Sequence, residues 1–178
     1  MTAFYYHLMD RGWRPWLNSW VDWSNEVVTF PIYSSTKWVG YQRYRWNAEK
    51  IRGNEQGKHQ RYFTHVQSEY RGMAVYGWDN CFGHGPLFVV EGIFDALKVT
   101  NCWWDCIALT TNKPTKQFKQ WFKMVTRGRT TISLMDRGEP SERWTQLTDI
   151  AISVPCDFND VGDMTLEQAR PFIEGILK

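Results

Sequence analysis

Hydrophobic positions change rhythm near residue 86. Before it, "EVVTFPIY" (26–33) and "WVGYQRYRW" (38–46) alternate apolar and polar positions and are rich in β-branched and aromatic residues, with "SSTK" between them. That pattern predicts an antiparallel hairpin. "NAEKIRGNEQGKHQ" (47–60) reads as an exposed loop, "RYFTHV" and "MAVYGW" as short returning segments, and the Gly- and Pro-containing "DNCFGHGP" (79–86) as a boundary. After it, strand-like and helix-like segments alternate. "PLFVVEG", "CIALTT", "TTISLMD" and "IAISVP" predict strands. "IFDALKVTN", "PTKQFKQWFKMVTR", "EPSERWTQLTD" and "TLEQARPFIEGILK" predict helices, the second opened by Pro114 near its first turn and the last interrupted by Pro171. Thr165 and Gln168 have the spacing of a capping box. Short apolar strands alternating with helices imply an α/β fold, a parallel sheet with helices on both faces, over residues 87–178. Residues 1–86 form a small, basic, aromatic-rich α+β portion ahead of it.

Composition adds that the chain folds and that zinc does not hold it together. Of 178 residues, 43% are hydrophobic and 16% aromatic, including 11 Trp, far more apolar material than a disordered chain carries. No apolar run approaches the roughly 18 residues of a membrane span, and "MTAFYYHLMDRGW" lacks a signal-peptide pattern, so a cytoplasmic location is expected. The four cysteines include no C-x-x-C pair, and the four histidines supply no second half of a zinc pattern. Cys102 and Cys106 read as packed free thiols.

The net charge of +2 hides an asymmetry: residues 1–86 hold 10 Lys+Arg against 7 Asp+Glu, whereas residues 87–178 hold 11 against 12. Arg43, Arg45, Lys50, Arg52, Lys58 and Arg61 are interleaved with Tyr41, Tyr44, Trp46, Tyr62 and Phe63. Such a mixture suits a single nucleic-acid strand, cations following phosphates and rings stacking on bases. On alternating strands, however, half of those rings must turn inward as core.

In a parallel α/β sheet, ligands collect beyond the carboxyl ends of the strands. Glu91 follows the first of these strands, Asp136 ends the third, and Asp157 and Asp160 follow the fourth. Two carboxylates about 4 Å apart repel by about 4 kcal/mol at an effective dielectric near 20, and a divalent cation relieves that. Hard oxygen ligands without histidine or thiolate favour Mg2+, with Mn2+ as a substitute. The bland alternatives stand beside this reading. Glu91 can be an acid favoured by a helix N-terminus, and Asp157, Asp160 and Asp163 can be turn formers. Lys113, before a helix start, can contact phosphate or be an ordinary loop lysine.

"VVEGIFDAL" (89–97) resembles the first signature of TOPRIM domains, and "ISLMDRGE" (132–139) sits where they carry Asp-x-Asp. Upstream, "GYQRYRW", "RYFTH" and "AVYGW" look like successive landmarks of bacterial and phage DNA primases, and "CDFNDVGDM" like the acidic loop that follows. The resemblance covers about residues 37–165. It implies a TOPRIM, Rossmann-like fold and synthesis of RNA primers on single-stranded DNA from nucleoside triphosphates with Mg2+. By that resemblance Glu91 assists deprotonation of the attacking 3′-hydroxyl, Asp136 binds Mg2+, and Asp95 orients the site or holds metal through water. Asn159 and Asp160, with Lys113, fall to the nucleotide. The second aspartate of Asp-x-Asp is replaced by Gly138, leaving Glu139 as the substitute ligand beside Glu91 and Asp136. With no zinc module and no G-x-x-x-x-G-K-[ST], a separate helicase or template-recognition partner is expected. Two other readings stay open: a TOPRIM nuclease, and a nucleic-acid-binding or host-interaction protein without catalysis.

Overall fold

The computed structural model describes residues 1–34, 36–48, 60–72, 74–83, 85–110 and 114–178. Lys50, Arg52, Lys58 and Lys113 lie outside the described residues.

The chain opens with helix α1 (Ala3–Asp10), which the hydrophobic pattern does not announce. Thr2 caps it, its hydroxyl accepting from the Tyr5 N–H at 3.3 Å. Its far end closes on Gly12, at φ +90°, where the Gly12 and Trp13 amides donate to Met9 and Leu8 carbonyls. Four strands follow as an antiparallel meander in sequence order: β1 (Trp20–Asp22), β2 (Val27–Ser34), β3 (Lys37–Arg45) and β4 (Tyr62–Val66). The register pairs Val28 with Tyr44, Phe30 with Gln42, and Gln42 with Thr64. Directly opposed residues share a face, so these turn toward the core while Tyr41, Arg43, Arg45 and Phe63 occupy the other side.

The second sheet comprises β5 (Leu87–Val90), β6 (Asp105–Ala108), β7 (Thr131–Met135) and β8 (Ile150–Ser153). Its spatial order is β6-β5-β7-β8, and all its pairs are parallel. Helices α2 (Ile93–Thr100), α3 (Lys116–Val125), α4 (Ser141–Thr145) and α5 (Leu166–Ile176) complete the chain. The α/β architecture expected from the sequence is therefore present, with a parallel sheet covered on both faces. The central strands β5 and β7 are buried along their whole length, as parallel strands covered on both faces must be, and so is the end strand β6. Phe88 and Val90 pack with α2 and α5, while Leu87 and Val89 pack with Phe118 and Phe122 of α3 and Trp144 of α4.

The two sheets share one core. Phe4, Leu8, Val28 and Phe30 belong to the same buried cluster as Phe88, Val90, Phe94 and Leu97. The Phe94 ring meets Phe30 and Tyr44 edge-on, at centroid distances of 5.5 and 4.9 Å. Polar ties reinforce the contact: the buried Lys98 amine donates to the Asp10 carbonyl, and Asn101 Nδ2 donates to the Gly12 carbonyl at 2.7 Å.

Several local expectations shift. Thr115 caps α3, accepting from the Phe118 amide at 3.1 Å, so Pro114 precedes the cap instead of opening the first turn. The segment "AVYGW" (74–78) meets the second sheet: Tyr76 forms an antiparallel bridge with Ala108 at the outer edge of β6. α4 is only five residues long. α5 runs through Pro171 unbroken, because the ring is exposed and water can serve the carbonyl that loses its amide partner. Among the described residues no helix is long and apolar enough to cross a membrane, and all four cysteines are free.

Candidate active site

β5 and β7 are neighbours whose onward connections leave for opposite sides of the sheet, β5 through α2 toward β6 and β7 through α4 toward β8. A crevice opens beyond the carboxyl ends of such a pair. Glu91 follows β5 and Asp136 follows β7, so the topology sets both acids at that crevice. They line a cavity of about 380 Å³ together with Arg11, Asp95, Thr110 and Asp160, and its opposite wall comes from Gln42, Tyr62 and Thr64 of the first sheet. A second, more apolar cavity of about 450 Å³ lies at the amino end of β6 among Trp16, Trp103 and Trp104. Its acids are Asp79 and Asp105, whereas the first gathers Glu91, Asp95, Asp136 and Asp160.

Asp95 is the keystone of the acidic cavity. It is buried, and its two carboxylate oxygens accept from separate backbone amides: Gly92 at 3.1 Å and Gly162 at 2.9 Å. The first contact reaches back one turn to the start of α2, and the second ties that turn to the loop after β8. Both glycines are required by space. A Cβ at either position would stand 2.6 Å from an Asp95 oxygen. Burial raises the Asp95 pKa well above the usual carboxylate value, Asp160 and Asp136 push it further, and Arg11 and the Gly162 amide offset part of the rise. Through these two amides Asp95 ties the start of α2 to the loop after β8 while still lining the cavity.

Asp160 caps the short turn Val161–Asp163, its Oδ1 accepting from the Asp163 amide at 2.9 Å, and still faces the cavity. Asn159 serves as a brace: its side chain accepts from Arg137 at 2.8 Å and donates to Asp163 at 2.9 Å. Asp157 does not line the cavity. Glu139 is also drawn elsewhere. Its carboxylate accepts from Trp144 Nε1 at 2.7 Å and pairs with Arg143 at 3.4 Å, which anchors the start of α4. Arg143 lies between two acids, with Nη2 3.8 Å from Glu91 Oε2. Gly138 stands at φ +82° in a tight turn closed by the Glu139 amide on the Asp136 carbonyl. That conformation favours glycine.

Among the described residues, no group of three or more His, Cys, Asp or Glu is arranged to hold a metal ion. The carboxylates that line the cavity are Glu91, Asp95, Asp136 and Asp160. This donor set is all hard oxygen, and Mg2+ commonly takes one or two carboxylates and fills the rest of its shell with water and phosphate, so the residues fit such an ion.

The basic candidates are distributed differently. Arg43 and Arg45 lie on the face of the first sheet that turns away from the cavity, Arg43 with its guanidinium 5.6 Å from the Tyr41 ring. Arg61 donates through Nε to the Ala48 carbonyl at 2.8 Å. A cation that lines the cavity itself, Arg11, comes from the end of α1. It pairs with Asp163 at 3.0 Å and lies 5.0 Å from the Phe94 ring centroid. Burial works against its charge, but Tyr62, Asp160, Asp95 and Asp163 outweigh burial and raise its pKa. No motif in the sequence singles out Arg11 or Arg143. The glycine two positions after the helix end, following Phe4 and Leu8 at helical spacing, is the available signal for α1 and hence for Arg11.

No protein-family model matches the chain, and no curated protein matches it. Solved structures do. The primase fragment of the bacteriophage T7 primase-helicase protein superposes with a TM-score of 0.63 at 13% identity, over 85% of this chain and 63% of that one. The DnaG primase catalytic domain bound to single-stranded DNA gives 0.60 at 18% identity, over 94% and 58%. The Aquifex aeolicus primase, comprising zinc-binding and RNA polymerase domains, gives 0.58 at 15% identity, over 84% and 39%. The chain thus spans less than two thirds of the length of each of these three, and within that span it has the fold of a primase catalytic core.

Proposed function

We propose that the chain is a primase-type nucleotidyltransferase, joining ribonucleotides from nucleoside triphosphates on a single-stranded DNA template with Mg2+. One observation carries the reading: Glu91, Asp136 and Asp160, far apart in sequence, face one cavity beyond the β5–β7 crevice of a primase-like fold. Phosphoryl transfer asks the protein mainly for positioning and charge neutralisation. Asp136 and Asp160 would hold the ion, which supplies charge neutralisation at the nucleotide phosphates. Glu91 would receive the proton of the attacking hydroxyl, with Arg143 Nη2 3.8 Å away as a neighbouring positive charge. Asp95 holds α2 and the 157–163 loop at one spacing. The template would run past Gln42, Tyr62 and Thr64; burial raises the Tyr62 phenol, which stays a neutral hydrogen-bond donor.

The deciding experiment incubates the protein with single-stranded DNA, the four ribonucleotides and Mg2+, alone and with candidate helicase or zinc-module partners. Short RNA products are expected. Their absence in every combination, with intact DNA binding, would transfer support to a second reading, binding without catalysis, which the capture of Glu139 by Trp144 and Arg143 favours. Metal-dependent nicking of DNA without nucleotides would instead identify a nuclease.

A further inference from the structure

The apolar cavity at the amino end of β6 has features that packing does not require. Trp16, Phe82 and Trp103 line it and are 79%, 83% and 86% exposed. Large rings left in water around one cavity form the kind of patch that marks a binding surface. Trp103 is unfavourable in a second way. Shortly after the end of α2 it stands at φ +71°, in the left-handed region that a bulky residue rarely adopts. Neither its backbone strain nor its exposure serves folding, so the place of this indole needs another reason.

The walls carry charge of one sign. Among the described residues no Lys or Arg lines the cavity, and its charged side chains are Asp79 and Asp105. Asp105 is already served by Arg129 at 2.5 Å and by the Phe82 and Gly83 amides. Asp79 is exposed, and its carboxylate has no hydrogen-bond or ion-pair partner among the described residues. A nucleic-acid strand also stacks on rings, but it needs cations along its phosphates, and this cavity offers acid instead. A guanidinium suits both parts, stacking on indole faces and pairing with a carboxylate. Proline suits the rest: an extended proline-rich segment lays its rings on aromatic walls with little entropy to lose.

We propose that this cavity docks a proline-rich, arginine-bearing segment of a partner protein, with Trp16 and Trp103 receiving the prolines and Asp79 pairing with the arginine. The proposal is independent of the reaction above, because the acidic cavity lies at the opposite, carboxyl end of the sheet.

The test titrates the full chain into a fluorescein-labelled peptide of sequence APPRPPA and reads anisotropy. A Kd on the order of 100 μM or tighter is expected. Replacing the peptide's arginine by glutamine should weaken binding about tenfold. Asp79→Asn should weaken the arginine peptide about threefold and leave the glutamine peptide unmoved, since both changes delete the same pair. Trp103→Gly should weaken the arginine peptide at least tenfold and raise the melting temperature by about 2–4 °C, because glycine relieves the left-handed strain. No binding up to about 1 mM, equal affinity for the two peptides, or a melting temperature that falls in Trp103→Gly while Asp79→Asn changes nothing would overturn the proposal. So would either rival occupant: single-stranded DNA whose binding Trp103→Gly weakens, or a dimer of the native chain, seen by sedimentation, that Trp103→Gly dissociates.

Discussion

At the scale of single residues, the site is organised by what Asp95 does with its two oxygens. A buried carboxylate ordinarily needs a cation; here two backbone amides serve it, and each comes from a glycine that a methyl group would displace. Gly92→Ala and Gly162→Ala should therefore each cost about 1–3 kcal/mol, read by chemical denaturation, since the added carbon forces the clamp apart. Glu91 and Glu139 should separate cleanly. Glu91→Gln is expected to lower primer synthesis at least 100-fold while moving the melting temperature by no more than about 2 °C. Glu139→Gln still offers Trp144 an acceptor, so it should cost less than tenfold in the same assay. A loss at Glu139 equal to that at Asp136→Asn would mean that Glu139 is a ligand after all. The motif Glu-Gly-x-x-Asp is readable in the sequence as chemistry. That its aspartate is spent on architecture is not, because Gly162 lies 67 residues further on.

At the scale of elements, α1 is the instructive case. Its end signals are present, Thr2 as a cap and Gly12 where a left-handed residue closes the helix, but two apolar positions, Phe4 and Leu8, are too few to announce it as a pattern. What the local pattern lacks is the partner. α1 is anchored on α2, where the Lys98 amine, almost fully buried, caps the Asp10 carbonyl. Burial, with Arg11 and Arg14 nearby, lowers the Lys98 pKa to about 8. Between that value and the unfolded value near 10.4, the unfolded chain keeps a proton that the folded chain has released. The contribution of Lys98 to folding stability should consequently rise with pH across this window, its penalty fully present below it, while the Cys81, Cys102 and Cys106 thiols, which burial pushes up, act in the opposite direction. The contribution is about 3 kcal/mol at most, a tenfold change in proton affinity being worth about 1.4 kcal/mol. Lys98→Met should remove this contribution, which the difference between denaturation curves of the two proteins from about pH 7.5 to 10.5 can check. At the other end of the chain, Thr165→Ala should cost about 1 kcal/mol through loss of the α5 capping box, a feature the sequence spacing does announce.

At the scale of the whole molecule, one hydrophobic core joins a meander to a parallel sheet and lays the inner face of the first across the acid-lined end of the second. The cationic residues of β3 therefore lie behind that wall, on the outer face. If the outer face carries nucleic acid, Arg43→Ala and Arg45→Ala should weaken single-stranded DNA binding, each reducing the steepness of the salt dependence by about 0.7. Dication binding at the acidic cavity should be unchanged, because a β-sheet separates the two surfaces. Unchanged DNA affinity in both variants would move the template to the inner wall, beside Gln42, Tyr62 and Thr64.

Local pattern by itself determined the α/β class, the hairpin, nearly every element after residue 86, and the acids at the strand ends, since the periodicity of burial and the chemistry of strand-to-helix turns are written over a few neighbouring residues. The tertiary structure alone decided which acids serve the cavity. Asp95 and Glu139 look like candidate ligands one turn at a time, and only the approach of Gly162, Trp144 and Arg143 commits them to other partners. It likewise decided that Arg11, from a helix the pattern does not announce, faces the cavity while Arg43 does not. Strand parity assigns residues to alternate faces, but which face meets the rest of the protein depends on packing between segments far apart in the chain, and no short-range signal encodes it.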